Sequence, residues 1–161
     1  MSYTKSQLSY LVILRMLIGW HFLYEGIVKV WNPEWSAKGY LMSSEWIFKG
    51  LFQAMAEYDG PLMVIDFLNA WGLTIIGLFL VLGFFNKGAA VAGATLLGFY
   101  YLAHPPLIGL ESPLPTEGSY LFVNKNLIEL FALLVLYAFP TGHIVGIDYL
   151  IDKYRGKAVS K

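Results

Sequence analysis

The sequence contains no cysteine. That excludes disulfides, thiol redox chemistry and zinc or iron–sulfur sites built on thiolates. Charge is also scarce. Only 14% of the 161 residues are charged, where a soluble domain has about 25%. Neither sign is in excess, with 11 Lys+Arg against 11 Asp+Glu, so nothing points to a nucleic-acid partner. A GxGxxG dinucleotide fingerprint is missing, as are internal repeats and low-complexity tracts. No cleavable signal peptide is expected: the first apolar run carries Arg15, is too long for a signal core, and has no small-residue cleavage site after it.

What is abundant is apolar surface. Hydrophobic residues make up 57% of the chain and aromatics 17%. A helix needs about 20 mostly apolar residues to cross a bilayer, and four stretches approach that length: about 8–31, 61–85, 88–104 and 124–139. Asn32–Pro33, Pro105–Pro106 and Pro140 end three of them, and Pro61 opens the second. Residues 120–123 are placed to extend the fourth at its outer end. The expected fold is all-α: one membrane domain over 1–161, a four-transmembrane-helix bundle. Outer loops cover 32–60 and 105–123, and the first of these reads as amphipathic helix lying on the membrane.

Basic residues near the helix ends set orientation. Lys5, Lys87, Lys153, Arg155, Lys157 and Lys161 fall on one side. The opposite loops carry Glu34, Glu45, Glu57, Asp59, Glu111 and Glu117, with Lys38, Lys49 and Lys125. Both termini are therefore expected in the cytoplasm and both long loops outside, which in a bacterial inner membrane means the periplasm. The basic tail is suited to anionic lipid headgroups.

Ionisable groups are costly in a bilayer and tend to mark function. Arg15, His21, Glu25 and Lys29 fall within an arc of about 120° on the first helix at 100° per residue, with Gly19 and Gly26 beside them to admit a neighbour. Asp66 and Asn69 lie in the outer half of the second run. Tyr100, Tyr101 and His104 end the third, and Asn126 and Glu129 open the fourth. Apart from Arg15, read as a structural polar group, the ionisable residues of the bundle gather in its outer half. Structural alternatives exist for each. Glu25 and Lys29 can pair with each other, Asn69 and Asn126 can be interhelical hydrogen-bond donors, and His104 can be a helix-end residue. His21 and His104 as axial haem ligands are disfavoured by their different depths, and no metal site is expected.

These residues carry a family resemblance. Arg15-x3-Gly19 with Glu25-Gly26-x2-Lys29, then Asn69-x-Trp71-Gly72, Gly77 and Leu82-Gly83, then Asn126-x2-Glu129 and Gly146-Ile147-Asp148 together resemble the DoxX/DoxD family of membrane proteins. Pro33-x-Trp35 in the outer loop is closer to the DoxD branch, the small membrane subunit of thiosulfate:quinone oxidoreductase. The resemblance implies a four-helix bundle working with quinone or with a partner oxidoreductase. On that reading the chain is a subunit that binds quinone in its outer half and takes electrons from a periplasmic substrate or partner. His21, Glu25, Lys29, Asp66 and His104 can donate or relay protons. Trp71, Tyr100 and Tyr101 can flank a ring, and Asn69, Asn126 and Glu129 complete the polar set. Trp35, Trp46 and Phe52 are candidate docking residues for the partner. Two other classes stay open: a non-catalytic anchor or assembly partner, and a small-solute or proton-coupled carrier. Membrane lipid is the expected surroundings, and a second copy of the chain is an open partner.

Overall fold

The computed structural model describes residues 3–107 and 121–156. Among them every regular element is helical: α1 (Lys5–Trp31), α2 (Lys38–Met42), α3 (Lys49–Glu57), α4 (Asp59–Leu82), α5 (Asn86–Ala103), α6 (Lys125–Ala138) and α7 (Ile147–Tyr154). The four long apolar runs are α1, α4, α5 and α6. Thr4 opens α1 with a reciprocal capping box to Gln7. Gly83, at φ 63°, ends α4 in the left-handed region. Asn124 caps α6 by accepting from the Leu127 N–H at 3.0 Å. This cap overrides the expected extension of α6 through 121–123. Leu121 is turned to φ 66° and that stretch is not helical, while Tyr120 lies outside the described residues.

α1 and α4, at 27 and 24 residues, are each long and apolar enough to cross a bilayer. α5 has 18 residues and starts on Asn86 and Lys87, and α6 has 14. These two fall short of that test and pack on the first pair. The core is Ile18 and Phe22 of α1, Leu73 and Leu80 of α4, Ala89, Ala90, Ala94 and Leu97 of α5, and Leu133 and Leu136 of α6. Outside it the helices turn large apolar side chains outward, Tyr10, Leu17 and Trp20 of α1 and Met63 and Phe67 of α4 among them. That surface exceeds what a soluble monomer exposes.

α1 lies closest to α4, and small residues set that distance. An added Cβ at Gly77 would sit 2.2 Å from the backbone N of Leu23, and one at Gly26 would sit 2.4 Å from that of Thr74. Gly77→Ala gains about 1 kcal/mol of helix propensity but must push a backbone aside, an overpacking cost of about 1–3 kcal/mol or more. We expect a lower melting temperature in detergent for Gly77→Ala. Gly72 has open space around it, so Gly72→Ala should instead hold or raise that temperature. Equal melting of the two variants would mean that α1 and α4 are not in backbone contact.

The segment between α1 and α4 is a folded cap. α2 and α3 bury Ala37, Leu41, Phe52 and Ala56 against Ala103 at the end of α5, with Trp35, Tyr40, Leu62, Ile65 and Leu102 packed around them. Phe52 and Ala56 are i,i+4 neighbours on the inward face of α3, and Phe52 is only 7% exposed. Its ring therefore packs in the core of the cap, where the sequence alone suggests a docking surface. Trp35 and Trp46 are half-buried. The outward surface of the cap instead carries Ile47, Phe48, Leu51 and Tyr58.

Candidate functional site

A cavity of about 200 Å³ opens between α1, α4, α5 and α6 on the cap side. His21, Phe22, Glu25 and Lys29 line it from α1, Leu73 from α4, Leu97 and Tyr100 from α5, and Lys125 and Asn126 from α6. The i,i+4 spacing of His21, Glu25 and Lys29 puts all three on one stripe of α1. Lys125 and Asn126 reach the same mouth because Asn124 starts α6 there.

Deepest in this set is a dyad. His21 Nδ1 lies 2.7 Å from Glu129 Oε1. Glu129 is largely buried, and its second oxygen, Oε2, has no hydrogen-bond partner. With the Nδ1–H donating to the carboxylate, the ring orientation is fixed and Nε2 is the nitrogen left for the cavity. Nearer the mouth, Lys29 Nζ lies 3.9 Å from Glu25 Oε2. It also lies 5.0 Å from the centre of the Trp35 ring and 5.9 Å from that of Tyr100. An ammonium between two aromatic faces is held by their quadrupoles as well as by the carboxylate. Glu25 is half-exposed, so its pairing with Lys29 contributes little by itself.

The rest of the polar set holds the outer end together. The Tyr100 hydroxyl donates to Asn69 Oδ1, and Asn69 Nδ2 donates to the Ile65 carbonyl at 3.2 Å. The Tyr40 hydroxyl donates to the Tyr100 carbonyl at 3.0 Å. Burial pushes the Tyr40 phenol well above its ordinary range, so it stays a donor. His104 Nε2 lies 2.8 Å from the Tyr40 carbonyl, and the Ser44 hydroxyl donates to the Ala103 carbonyl at 2.9 Å. Asp66 Oδ1 accepts the Ala37 N–H at 2.7 Å, which ties the cap to α4.

These partners sort the expected site residues. His21, Glu25, Lys29, Tyr100 and Asn126 line the cavity, Glu129 backs it, and Asn69 orients Tyr100. Asp66 and His104 do not line it; each bonds a backbone group of the cap. Tyr101 donates to the Phe122 carbonyl at 2.8 Å and so fastens the end of α5 to the strand of chain before α6. Trp71 is turned outward, about 200° around α4 from both Asn69 and Leu73, and does not line this cavity. Tyr40, Phe22 and Lys125 were not among the expected residues. Lys125 and Phe22 each adjoin one that was, Asn126 and His21, but nothing local to Tyr40 signals that the cap folds back. Among the described residues no three His, Asp or Glu side chains gather closely enough to hold a metal ion.

A second buried polar cluster lies at the other end of the bundle. Arg15, 2% exposed, donates from Nη1 to Thr141 Oγ1 at 2.9 Å. Asp148 accepts the N–H groups of Phe85 at 2.9 Å and Asn86 at 3.3 Å, and its own N–H reaches the Gly83 carbonyl at 3.2 Å. The Asp148 carboxylate thus occupies the N-terminus of α5, where the helix dipole favours an anion.

No curated protein and no solved structure matches the chain. A family match does: the DoxX profile covers residues 10–105, from within α1 to just past the end of α5. His21, Glu25, Lys29 and Tyr100 fall inside it, whereas Glu129 and Asp148 lie beyond. With more than half of its residues matched, and with two helices long and apolar enough to span a bilayer, the chain belongs to the DoxX family of membrane proteins.

Proposed function

We propose that this protein is the membrane subunit of a quinone-linked oxidoreductase, binding the quinone headgroup in the cavity between α1, α4, α5 and α6. The observation that carries the reading is the His21–Glu129 dyad beside a slot that joins the apolar walls of Phe22, Leu73 and Leu97 to the polar groups of Glu25, Lys29, Lys125 and Asn126. The slot fits the ligand by size and chemistry. It is smaller than the roughly 300–1,000 Å³ of sites that enclose a drug-sized molecule, so it takes a ring and leaves a tail among the helices. Phe22, Leu73 and Leu97 offer the ring apolar walls, and Lys29 and Asn126 offer hydrogens to a carbonyl oxygen. Reduction of a quinone to the quinol takes two electrons and two protons. With both ring nitrogens protonated and Nδ1–H held by the Glu129 carboxylate, His21 delivers one proton from Nε2; solvent at the open mouth supplies the second and replaces the one His21 gave. The two electrons come from a periplasmic donor, since the chain has no cysteine and no dinucleotide motif.

In this reading α5 and α6 also span the inner membrane, giving four crossings with both termini in the cytoplasm and the cap outside. A second reading, a non-catalytic assembly partner, is favoured by the apolar cap surface of Ile47, Phe48, Leu51 and Tyr58. One preparation separates them. Protein purified in mild detergent should yield quinone on solvent extraction and mass spectrometry, and His21→Trp, which fills the slot, should yield none. A stoichiometric protein partner with no quinone would support the assembly role instead. Sidedness is read on the same strain. A thiol at Gly50→Cys, which points into open space, should react with an impermeant reagent in intact cells, and one at Tyr154→Cys should not.

A further inference from the structure

The chain after α6 is held to the bundle with unusual care for so short a segment. Thr141 is tied to Arg15, Asp148 to the start of α5, and the Tyr149 N–H to the Gly142 carbonyl at 3.0 Å. His143 Nδ1 lies 2.6 Å from Asp152 Oδ2, which staples the turn to α7. The glycines make room for this. A Cβ at Gly146 would sit 2.6 Å from the Gly83 carbonyl oxygen, and one at Gly142 would sit 2.8 Å from Asp148 Oδ2. These ties fix the rotation of α7 as well as its position.

That rotation leaves an apolar stripe that the bundle covers only in part: Leu150 and Tyr154 are exposed, Ile147 and Ile151 half-buried. Ile147, Leu150, Ile151 and Tyr154 fall within an arc of about 100° at 100° per residue, and Asp148 points about 110° away from its centre toward α5. Leu150 is half-exposed and Tyr154 is 89% exposed. Lys153 and Arg155 flank the stripe, one on each side, and Lys87 stands at the same end with its ammonium 5.7 Å from the centre of the Tyr137 ring. The acidic groups there are engaged, Asp148 with the α5 amides and Asp152 with His143. Exposed apolar side chains also stand before it in the chain, at Val135 and Tyr137 of α6, at Phe139 just after α6, and at Ile144 and Val145 just before α7.

We infer that α7 is an in-plane membrane helix that binds anionic phospholipid: its stripe of Ile147, Leu150, Ile151 and Tyr154 enters the headgroup boundary while Lys153 and Arg155 take the phosphates. An apolar stripe edged with basic residues is the form that interfacial helices take. Basic residues on both edges of the stripe, with Asp148 and Asp152 already engaged, select an anionic bilayer surface over a soluble protein as its occupant. The inference rests on the membrane reading of the bundle and is independent of quinone.

Because the chain has no cysteine, a single introduced thiol reports one position. The full-length protein would be labelled with an environment-sensitive fluorophore at Leu150→Cys or at Tyr149→Cys, on the opposite face. Each would be placed in phosphatidylcholine vesicles with and without phosphatidylglycerol. We expect lipid-borne nitroxide to quench position 150 several-fold more than position 149, and aqueous iodide to do the reverse. Retention of phosphatidylglycerol by the purified protein should fall about fivefold for each charge removed in Lys153→Gln and Arg155→Gln, and less in high salt. Iodide quenching that is equal at both positions would overturn the inference. So would protection at 150 that vanishes when the protein is diluted into excess lipid, which would identify a second copy as the occupant.

Discussion

His21→Gln should lower quinone-linked turnover by about 100-fold or more, the scale on which a positioned acid or base contributes, while quinone binding changes only a few-fold. The argument is one of elimination by hydrogen bonds. Five residues singled out in the sequence have the chemistry to donate a proton to a bound carbonyl. Asp66 is occupied by the Ala37 N–H and His104 by the Tyr40 carbonyl. Glu25 and Lys29 face each other at 3.9 Å near the mouth. His21 lines the cavity with the buried Glu129 carboxylate behind it to stabilise its doubly protonated ring. Glu129→Gln keeps an oxygen that can accept from Nδ1–H, so the ring should stay oriented. The loss should then be smaller, about tenfold, with the pH profile of turnover displaced. Turnover that is unchanged in both variants, with normal amounts of protein in the membrane, would make the dyad an interhelical fastener of α1 and α6.

The parts of this site that lie within one helix are legible in the sequence. His21, Glu25 and Lys29 recur at i,i+4, and that spacing alone puts them on one stripe whatever the stripe faces. The apolar runs likewise declare their helices, because Asn32–Pro33, Pro105 and Pro140 stop three of them for reasons of local backbone chemistry, whereas α4 ends at Gly83, short of the expected residue 85. Contacts between helices do not follow from spacing. Glu129 is 108 residues from His21, and only the packing of α6 on α1 decides that they meet. Asp66 has the depth of a site carboxylate, yet the path of the cap delivers the Ala37 N–H to it. Phe52 resembles any exposed aromatic of an outer loop until α3 turns it onto Ala103. α7 is hidden for a different reason. Its apolar spacing is regular, but eight residues, little more than two turns, are too few for a periodic pattern to separate a helix from a solvated tail.

Asp148→Ala should be the most destabilising single change outside the core, at about 3–5 kcal/mol, the usual cost of removing one partner from a buried charge cluster. Two effects add. The first is backbone: the carboxylate accepts the N–H groups of both Phe85 and Asn86, and hydrogen bonds to a charged group contribute about 1.5–3 kcal/mol. Phe85 needs that support, because it holds a left-handed φ of 45° without being glycine, a conformation that costs about 1–3 kcal/mol and persists only when its surroundings impose it. The second is charge: Arg15 is buried with a single hydrogen bond, its Nε unpartnered, and Asp148 is the acidic group that balances it. The turn between α4 and α5 also sets the register that brings Tyr100 to Asn69 at the far end, so the loss should reach the cavity. Asp148→Asn keeps an acceptor and the shape but not the charge, and should fall between. Arg15→Met should recover part of the stability lost in Asp148→Ala, since it removes the charge left unbalanced. Thermal melting of the two single variants and the double variant in detergent measures this coupling, expected at about 0.5–3 kcal/mol. Additive losses would mean that Asp148 acts only as the cap of α5, and that Arg15 is balanced by something other than its carboxylate.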